Sequence, residues 1–542
     1  MIYNPLALTS RVSHLDLALV LALAFALVIT PLTLHAQIVG PLVPSGPNPI
    51  SQNSVSNIGS FGDSLWIGPR LQLNVGGGND WIRPLGADSV VNGRGRMFSV
   101  ALAKDTVFAG IGYNVIVDEN SVQSGMGFYK STDGGKNWSF VPFPLDPCKR
   151  SGSTDACDNI IIPYGAGSIE ALAVIVPQQS PPYDVDFKGN TVFFAGWASG
   201  IKRSRDFGQT WERVVLPPTR LSELNPNLAY NFVMNPRPPA RTDPNPTDYL
   251  NFNAFSVFVD RDGNVWAGTA GGINISDNAL TASADRIRWR HIVSNNSRNG
   301  MLGNWVIRIK QDPLTGRVWL TNWVGGLQGE RFGIVSTANQ GLTFEQHLVG
   351  EKIYDIAFDG NTIYAAGDNG LFITRDNGST WEQVRQIVSA NARLKSGAVF
   401  YSVSKAGNTL WIGTSDGVAS TSDGGQTWSI TRVNLLPGEG NVFQQESPDV
   451  NTYAYPNPFS HRQHRELRIV FDVPQSGNTT IRIYDFGMNL VRELDSRNLP
   501  AGPHEAVWDG YDAMGRKVAN GAYFYRVSMN GSTANGKILV LE

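Results

Sequence analysis

The chain has 542 residues, with 44 Lys and Arg against 46 Asp and Glu and a formal net charge of −2 at pH 7. Charged residues make up only 17%, so the basic footprint that nucleic acid requires is not expected. Gly at 57 and Trp at 14 fit a turn-dense all-β chain, long enough for a large closed core plus a second module.

The amino terminus reads as a targeting segment. Leu15–Leu34 is largely apolar, Arg11 precedes it, and Leu34-His35-Ala36 offers a small-residue cleavage site. The apolar core Leu17–Ile29 is 13 residues, against the roughly 20 that a membrane span requires. We expect a signal peptide over 1–36, removed from an exported protein with no membrane span; a retained N-terminal anchor is the alternative. Residues 37–57, rich in Pro, Ser and Asn, read as a linker.

From residue 58 a short pattern recurs. STDGGKNW at Ser131–Trp138, SRDFGQTW at Ser204–Trp211, TRDNGSTW at Thr374–Trp381 and TSDGGQTW at Thr421–Trp428 all read Ser/Thr-x-Asp-x-Gly-x-Thr-Trp, with Asn137 replacing the Thr once. Asp133, Asp206, Asp376 and Asp423 stand where a carboxylate accepts the N–H groups of the residues after it. Gly135, Gly208, Gly378 and Gly425 suit a positive φ. Trp138, Trp211, Trp381 and Trp428 then open a strand and pack sideways on a neighbouring sheet. The boxes resemble the Asp-box, or bacterial neuraminidase repeat. The resemblance implies a structural role for the box acids, at turns away from any central channel.

A β-rich segment precedes each box: TVFAG at 106–110, TVFFAG at 191–196, TIYAAG at 362–367 and TLWIG at 409–413. Three more, SLWIG at 64–68, NVWAG at 264–268 and RVWLT at 317–321, have weak boxes or none. Asn74–Trp81 reads as a decayed box, Ser336–Phe344 as a box with one inserted residue, and Gly271–Asn278 as the weakest. The anchors Trp66, Phe108, Phe194, Trp266, Trp319, Tyr364 and Trp411 are spaced by 42, 86, 72, 53, 45 and 47 residues. Most gaps match a four-stranded blade of about 40–50 residues. The expectation is a seven-bladed β-propeller over 58–446, with six or eight blades as alternatives and insertions at about 141–170 and 216–253. Met301–Trp323 and Val257–Ile273 also resemble the propeller repeats of two-component sensor proteins, which agrees with the fold.

The first insertion holds the two cysteines, Cys148 and Cys157. In an exported protein such a pair closes a local disulfide; metal binding is the weaker reading, since no His lies near. The second insertion, rich in Pro and Asn, carries Tyr230, Phe232, Tyr249 and Phe252. These aromatics either stack on a sugar or protein ligand or pin the loop to the propeller.

A second module begins at 453 and runs to 542, with short alternating stretches that read as a small β-sandwich. YPNPF at Tyr455–Phe459, Ile483–Leu494, Leu499–Val527 and GKILVLE at Gly536–Glu542 resemble the Ig-like domain of the flagellar hook-capping protein and the carboxy-terminal sorting domain of type IX (Por) secretion cargo. The sorting resemblance implies secretion machinery as a partner, with Lys537 leading the last strand.

Asp-box propellers include sialidases and xyloglucanases, so a glycoside hydrolase is the sharp alternative. Such enzymes need two positioned carboxylates or a Tyr/Glu pair. The Arg-Ile-Pro motif of sialidases is missing, and Arg70, Arg83, Arg94 and Arg96 lie in no matching context. No catalytic residue is assigned; Glu223, Asp243, Asp248 and Glu330 are loop acids whose pairing the sequence does not show. His461 and His464 read as a solvated turn and not as a metal site, and neither metal nor cofactor is expected. The reading is an exported, monomeric cell-surface or outer-membrane propeller that binds carbohydrate or protein without turnover.

Overall fold

The computed structural model describes residues 37–39, 42–45, 49–78, 80–85, 95–150, 157–239, 243–295, 297–433 and 452–542. The expected signal peptide over 1–36, Arg94 and the module boundary near 446 lie outside them. All that follows concerns the unit Ile38–Glu542.

Seven antiparallel sheets are wound in sequence, each a four-stranded meander. Their first strands are Ile58–Phe61, Arg96–Ala103, Asp184–Lys188, Ala254–Val259, Trp305–Gln311, Ile353–Asp359 and Phe400–Ala406, in blades 1 to 7. Each first strand touches that of the next blade, and blade 7 touches blade 1, so these strands form an inner ring. The seven-bladed count expected from the anchors is the count of the structure. Leu42–Pro44 adds an outer strand to blade 1, and Glu223–Leu224 adds one to blade 4.

Second and third strands are buried on both faces, as in Val265–Thr269 and Gly272–Ser276, because each blade is covered by two neighbours. That is why they read as near-continuous apolar runs instead of alternating ones. Several outer strands, such as Glu212–Arg213 and Glu382–Val384, are short and charged, which blunts the exposed sheet edges. The ring closes through Asn53, whose side chain accepts from Val433 N (2.7 Å) and donates to Val433 O (3.1 Å). Ser60 adds a hydroxyl bond to Ser404 across the same seam (2.6 Å).

Each box sits on the turn between third and fourth strands and latches its blade to the preceding one. In blade 6, Asp376 accepts from Thr374 Oγ1 (2.7 Å), Thr380 N (2.9 Å) and Thr380 Oγ1 (2.6 Å), while Gly378 N donates to Thr374 Oγ1 (2.9 Å). Asp133, Asp206 and Asp423 repeat the pattern. The box glycine has φ near +87° at Gly135, and a Cβ there would lie 2.8 Å from Trp66 of the preceding blade. The same close approach joins Gly208 to Phe108 and Gly378 to Trp319. Trp138 meets Trp66 edge-on at 5.2 Å, and Trp211 packs between Phe128 and Phe194 at 5.1 and 5.0 Å. Trp138 is buried, whereas Trp211, Trp381 and Trp428 are half-buried.

The blade 5 box corrects the sequence reading. It starts at Thr337, not Ser336, and holds no inserted residue. Asn339 takes the Asp position, accepting from Thr337 Oγ1 (2.9 Å) and Thr343 N (3.0 Å), and Phe344 replaces the Trp. An amide oxygen accepts the same N–H bonds as a carboxylate, so the turn survives the exchange.

The C-terminal part is a sandwich. Thr452–Tyr455, Leu467–Val473 and Gly502–Trp508 form one sheet; Leu490–Leu499, Gly477–Tyr484, Gly521–Met529 and Ser532–Val540 form the other. Ile469, Phe471, Ile481, Trp508, Tyr525 and Ile538 fill its core. YPNPF covers the edge of the final strand. Asn457 donates to Lys537 O and accepts from Leu539 N, each at 2.9 Å, and Phe459 N donates to Leu539 O (2.8 Å).

Candidate binding face

The order of strands fixes what lies on each face of the ring. The boxes occupy the turns between third and fourth strands, on the same face as the turns between first and second. Crossovers from one blade to the next emerge on the opposite face. Both insertions are such crossovers, running from Pro142 to Asp184 and from Arg213 to Ala254.

The two insertions form one structure. Ile160–Tyr164 and Gly167–Ala171 make a hairpin in the first, and Val233–Met234 of the second joins it in parallel. Cys148 and Cys157 are bridged, with Cα atoms 5.2 Å apart, beside this hairpin. Phe252 is buried in the core beneath, and Tyr230, Phe232 and Tyr249 pack against that core. Phe232 stacks on Phe252 at 6.2 Å, and the Tyr230 hydroxyl accepts from Asn225 N (2.9 Å). All four loop aromatics therefore pack in or against that core, and Tyr249 also lines a groove.

Three of the four loop acids are spent on nearby backbone N–H groups or an arginine. Glu330 accepts from Asn304 N, Gly325 N and Leu327 N at 2.8–3.0 Å. Asp243 accepts from Asn245 N, and Asp248 pairs with Arg220. Glu223 is exposed on the outer strand of blade 4. The structure does not bring these four together into a carboxylate pair. Among the described residues no group of three or more His, Cys, Asp or Glu is arranged to hold a metal.

Sequence reasoning missed a second repeat, aromatic–Ser/Asp–Val/Ile, at the start of five inner strands: Phe98-Ser99-Val100, Tyr183-Asp184-Val185, Phe255-Ser256-Val257, Tyr354-Asp355-Ile356 and Tyr401-Ser402-Val403. In four of the five the middle residue stitches blades together, Asp184 Oδ2 accepting from Val257 N (3.3 Å), whereas Ser402 Oγ has no partner among the described residues. Ser99 Oγ donates to Pro182 O (2.8 Å), Ser256 Oγ donates to Val306 O (2.9 Å), and Asp355 Oδ2 accepts from Val403 N (3.1 Å). Phe98, Phe255, Tyr354 and Tyr401 are the extra residues of β-bulges. A bulge leaves its extra residue unpaired and re-aims the side chain.

The consequence is an arc of half-buried rings at the channel mouth on the insertion-bearing face. Phe98, Tyr183, Phe255 and Trp305 follow one another at centroid distances of 6.1, 6.1 and 5.0 Å, with Trp197 5.2 Å from Phe255. Trp323, Tyr354 and Tyr401 continue it at 5.0 and 5.5 Å. Arg96 covers the Phe98 ring (4.7 Å), and Lys352 covers Trp323 (4.3 Å).

Below the arc lies the channel, a cavity of about 320 Å³ lined by all seven inner strands. Arg308 reaches across it, with Nη1 2.9 Å from Asp184 Oδ1 and Nε 3.6 Å from Asp355 Oδ1, and Lys310 Nζ lies 2.8 Å from Asp355. Burial pushes the Asp186 carboxyl up to about 7, against the pull of N–H bonds from Val259 (2.7 Å) and Phe187 (2.8 Å). In the boxes the effect is opposite. The Thr380 hydroxyl and N–H and the Thr374 hydroxyl hold Asp376 down at about 2.

These features define a seven-bladed β-propeller carrying an Ig-like β-sandwich. Residues 463–534 match the model of the FlgD Ig-like domain. Comparison with curated protein sequences finds no match. Among solved structures, YCF48 from Cyanidioschyzon merolae is 18% identical over 70% of this chain and 97% of that one, with a TM-score of 0.39. PorZ of Porphyromonas gingivalis, described as an essential surface component of the type-IX secretion system, is 13% identical over 90% and 75%, with a TM-score of 0.34. The GH74 enzyme of Niastella koreensis is 11% identical over 93% and 75%, with a TM-score of 0.42. Likeness at these identities concerns fold alone.

Proposed function

We propose that the protein is exported and binds carbohydrate or protein at the cell surface, without turnover, through the insertion-bearing face of its propeller. The observation that carries this is the arc of half-buried rings from Phe98 to Tyr401. Apolar rings kept at a channel mouth by β-bulges in four blades are costly to leave facing water unless they contact something. The C-terminal domain directs secretion or surface attachment in this reading; its support is the ordered series from YPNPF to the last strand GKILVLE.

A glycoside hydrolase is the second reading, favoured by Asp184, Asp186 and Asp355 in the channel. Against it, Asp186 gives both oxygens to backbone N–H groups, and Asp184 and Asp355 serve Arg308. The test is a glycan array and a panel of surface proteins probed with purified 37–542, with product release followed in parallel. Binding without product, weakened at least tenfold by Trp305→Ala or Tyr401→Ala, is expected. Product release abolished by Asp186→Asn would establish the hydrolase instead.

A further inference from the structure

The two insertions enclose a groove beside the arc, about 510 Å³ in volume. Its walls are Leu172, Val174, Ile175 and Val176 from the first insertion and Pro236 to Pro238 from the second, and Trp197 and Tyr249 add ring surface. The walls are fixed. Asn253 Nδ2 donates to Trp197 O (3.1 Å) and to Pro236 O (3.2 Å), and Leu172 N donates to Met234 O (3.0 Å). Gln179 is held at φ +58° in the turn that closes one end. Nevertheless Ile175 and Val176 remain 36% and 50% exposed, although the core lies within reach of the same crossover.

We propose that this groove docks a short apolar peptide segment bearing a carboxylate, contributed by a partner protein. The inference rests on the reading of this face as the binding face. Three observations select the occupant. Aliphatic walls would strand the hydroxyls of a sugar without partners, so they suit apolar side chains. Gln178 lines the groove, and its amide oxygen is shielded from solvent with no donor among the described residues, a deficit that a ligand backbone N–H can fill and an acyl chain cannot. Arg237 stands exposed in the groove wall, and its guanidinium has no carboxylate partner among the described residues. That gives the groove a positive charge for an Asp, a Glu or a chain terminus to meet. The volume lies in the range of about 300–1,000 Å³ usual for ligand sites.

The probe is a phage-displayed library of random seven-residue peptides, selected on the immobilised protein, with the enriched peptide then synthesised and titrated by fluorescence anisotropy. Enriched sequences should be apolar with one acidic residue. Binding of the synthetic peptide should fall at least tenfold in Arg237→Glu and in Val176→Asp, both exposed positions whose melting curves should match wild type. Replacing the peptide's acidic residue by its amide should cost about as much as Arg237→Glu. Tyr401→Ala, whose ring contacts Tyr354 and no groove residue, should leave peptide binding unchanged while weakening ligand binding at the arc, so the two readings fail separately. No enrichment over the Val176→Asp protein, equal binding to Arg237→Glu, or enrichment only of sequences that Tyr401→Ala abolishes would each overturn the proposal.

Discussion

Asp416 and Arg468 form a two-pronged ion pair, Oδ1 to Nη1 at 2.8 Å and Oδ2 to Nη2 at 2.7 Å, that ties the Ig-like domain to blade 7. Both residues are buried. Arg432 bonds to the same carboxylate (2.8 Å) and reaches Glu505 of the Ig-like domain (2.5 Å), which also accepts from Arg393 N (3.0 Å). The domain is thus seated on the insertion-bearing face by charges that satisfy one another. Burial raises the Asp416 carboxyl, and the hydrogen bonds and charge of Arg468 and Arg432 more than reverse it, so its net shift is downward.

Removing one member of such a buried pair leaves the others uncompensated and costs about 3–5 kcal/mol. Asp416→Asn should therefore uncouple the domains. Calorimetry of the wild type should show one transition and of the variant two. The coupling should also weaken as pH falls below the usual carboxylate range, because a depressed pKa contributes stability above that range and loses it on protonation.

Trp138→Ala should destabilise the propeller by about 3–5 kcal/mol, since the ring is buried against Trp66. Trp381→Ala should cost less, because that ring is half-buried. Denaturant midpoints at constant slope measure both.

Acid should act on the box turns. Asp376 titrates at about 2 in the fold against 3.8 ordinarily, so its contribution is complete above about pH 4 and disappears as pH falls towards 2. Asp376→Asn should keep the turn, as Asn339 does in blade 5, and flatten the decline in melting temperature across that window. A variant as acid-labile as wild type at this step would place the lability elsewhere.

Asp186 should behave in the opposite sense. Its carboxyl is raised to about 7, so its contribution is complete below pH 4 and lost as pH rises through 7. Asp186→Asn turns an amide NH2 towards one of two backbone N–H groups, a cost the same at any pH, so its effect on melting temperature should be more favourable at pH 8 than at pH 5 by a few degrees. Equal shifts at both values would refute the assignment.

Deleting 453–542 removes Arg468 and Glu505 but leaves Asp416 paired with Arg432 within the propeller. The truncated protein should fold, with its melting temperature lowered, and fail to reach the cell surface. Undiminished surface display, measured by protease shaving of intact cells, would reduce the domain to a spacer.

The sequence by itself pointed to seven blades, with six and eight left open, because each blade repeats its own local chemistry. A box such as Thr374–Trp381 needs only its own hydroxyl, carboxylate and glycine to turn, and an anchor such as Trp66 marks the strand it packs from. The misread box at Thr337 shows the limit, since Asn339 does the work of Asp and only hydrogen-bond geometry reveals the register. The aromatic–Ser/Asp–Val/Ile repeat was present in the letters, yet three residues carry too little signal until bulges in the inner strands align them around one mouth. What only the tertiary structure decided is everything that joins distant segments. Val233–Met234 pairs with Gly167–Ala171 across more than 60 residues, making one groove of two insertions. Arg468 finds Asp416 from 52 residues away. Such pairings depend on where the closed ring places chain ends and crossovers, and no local pattern encodes that position.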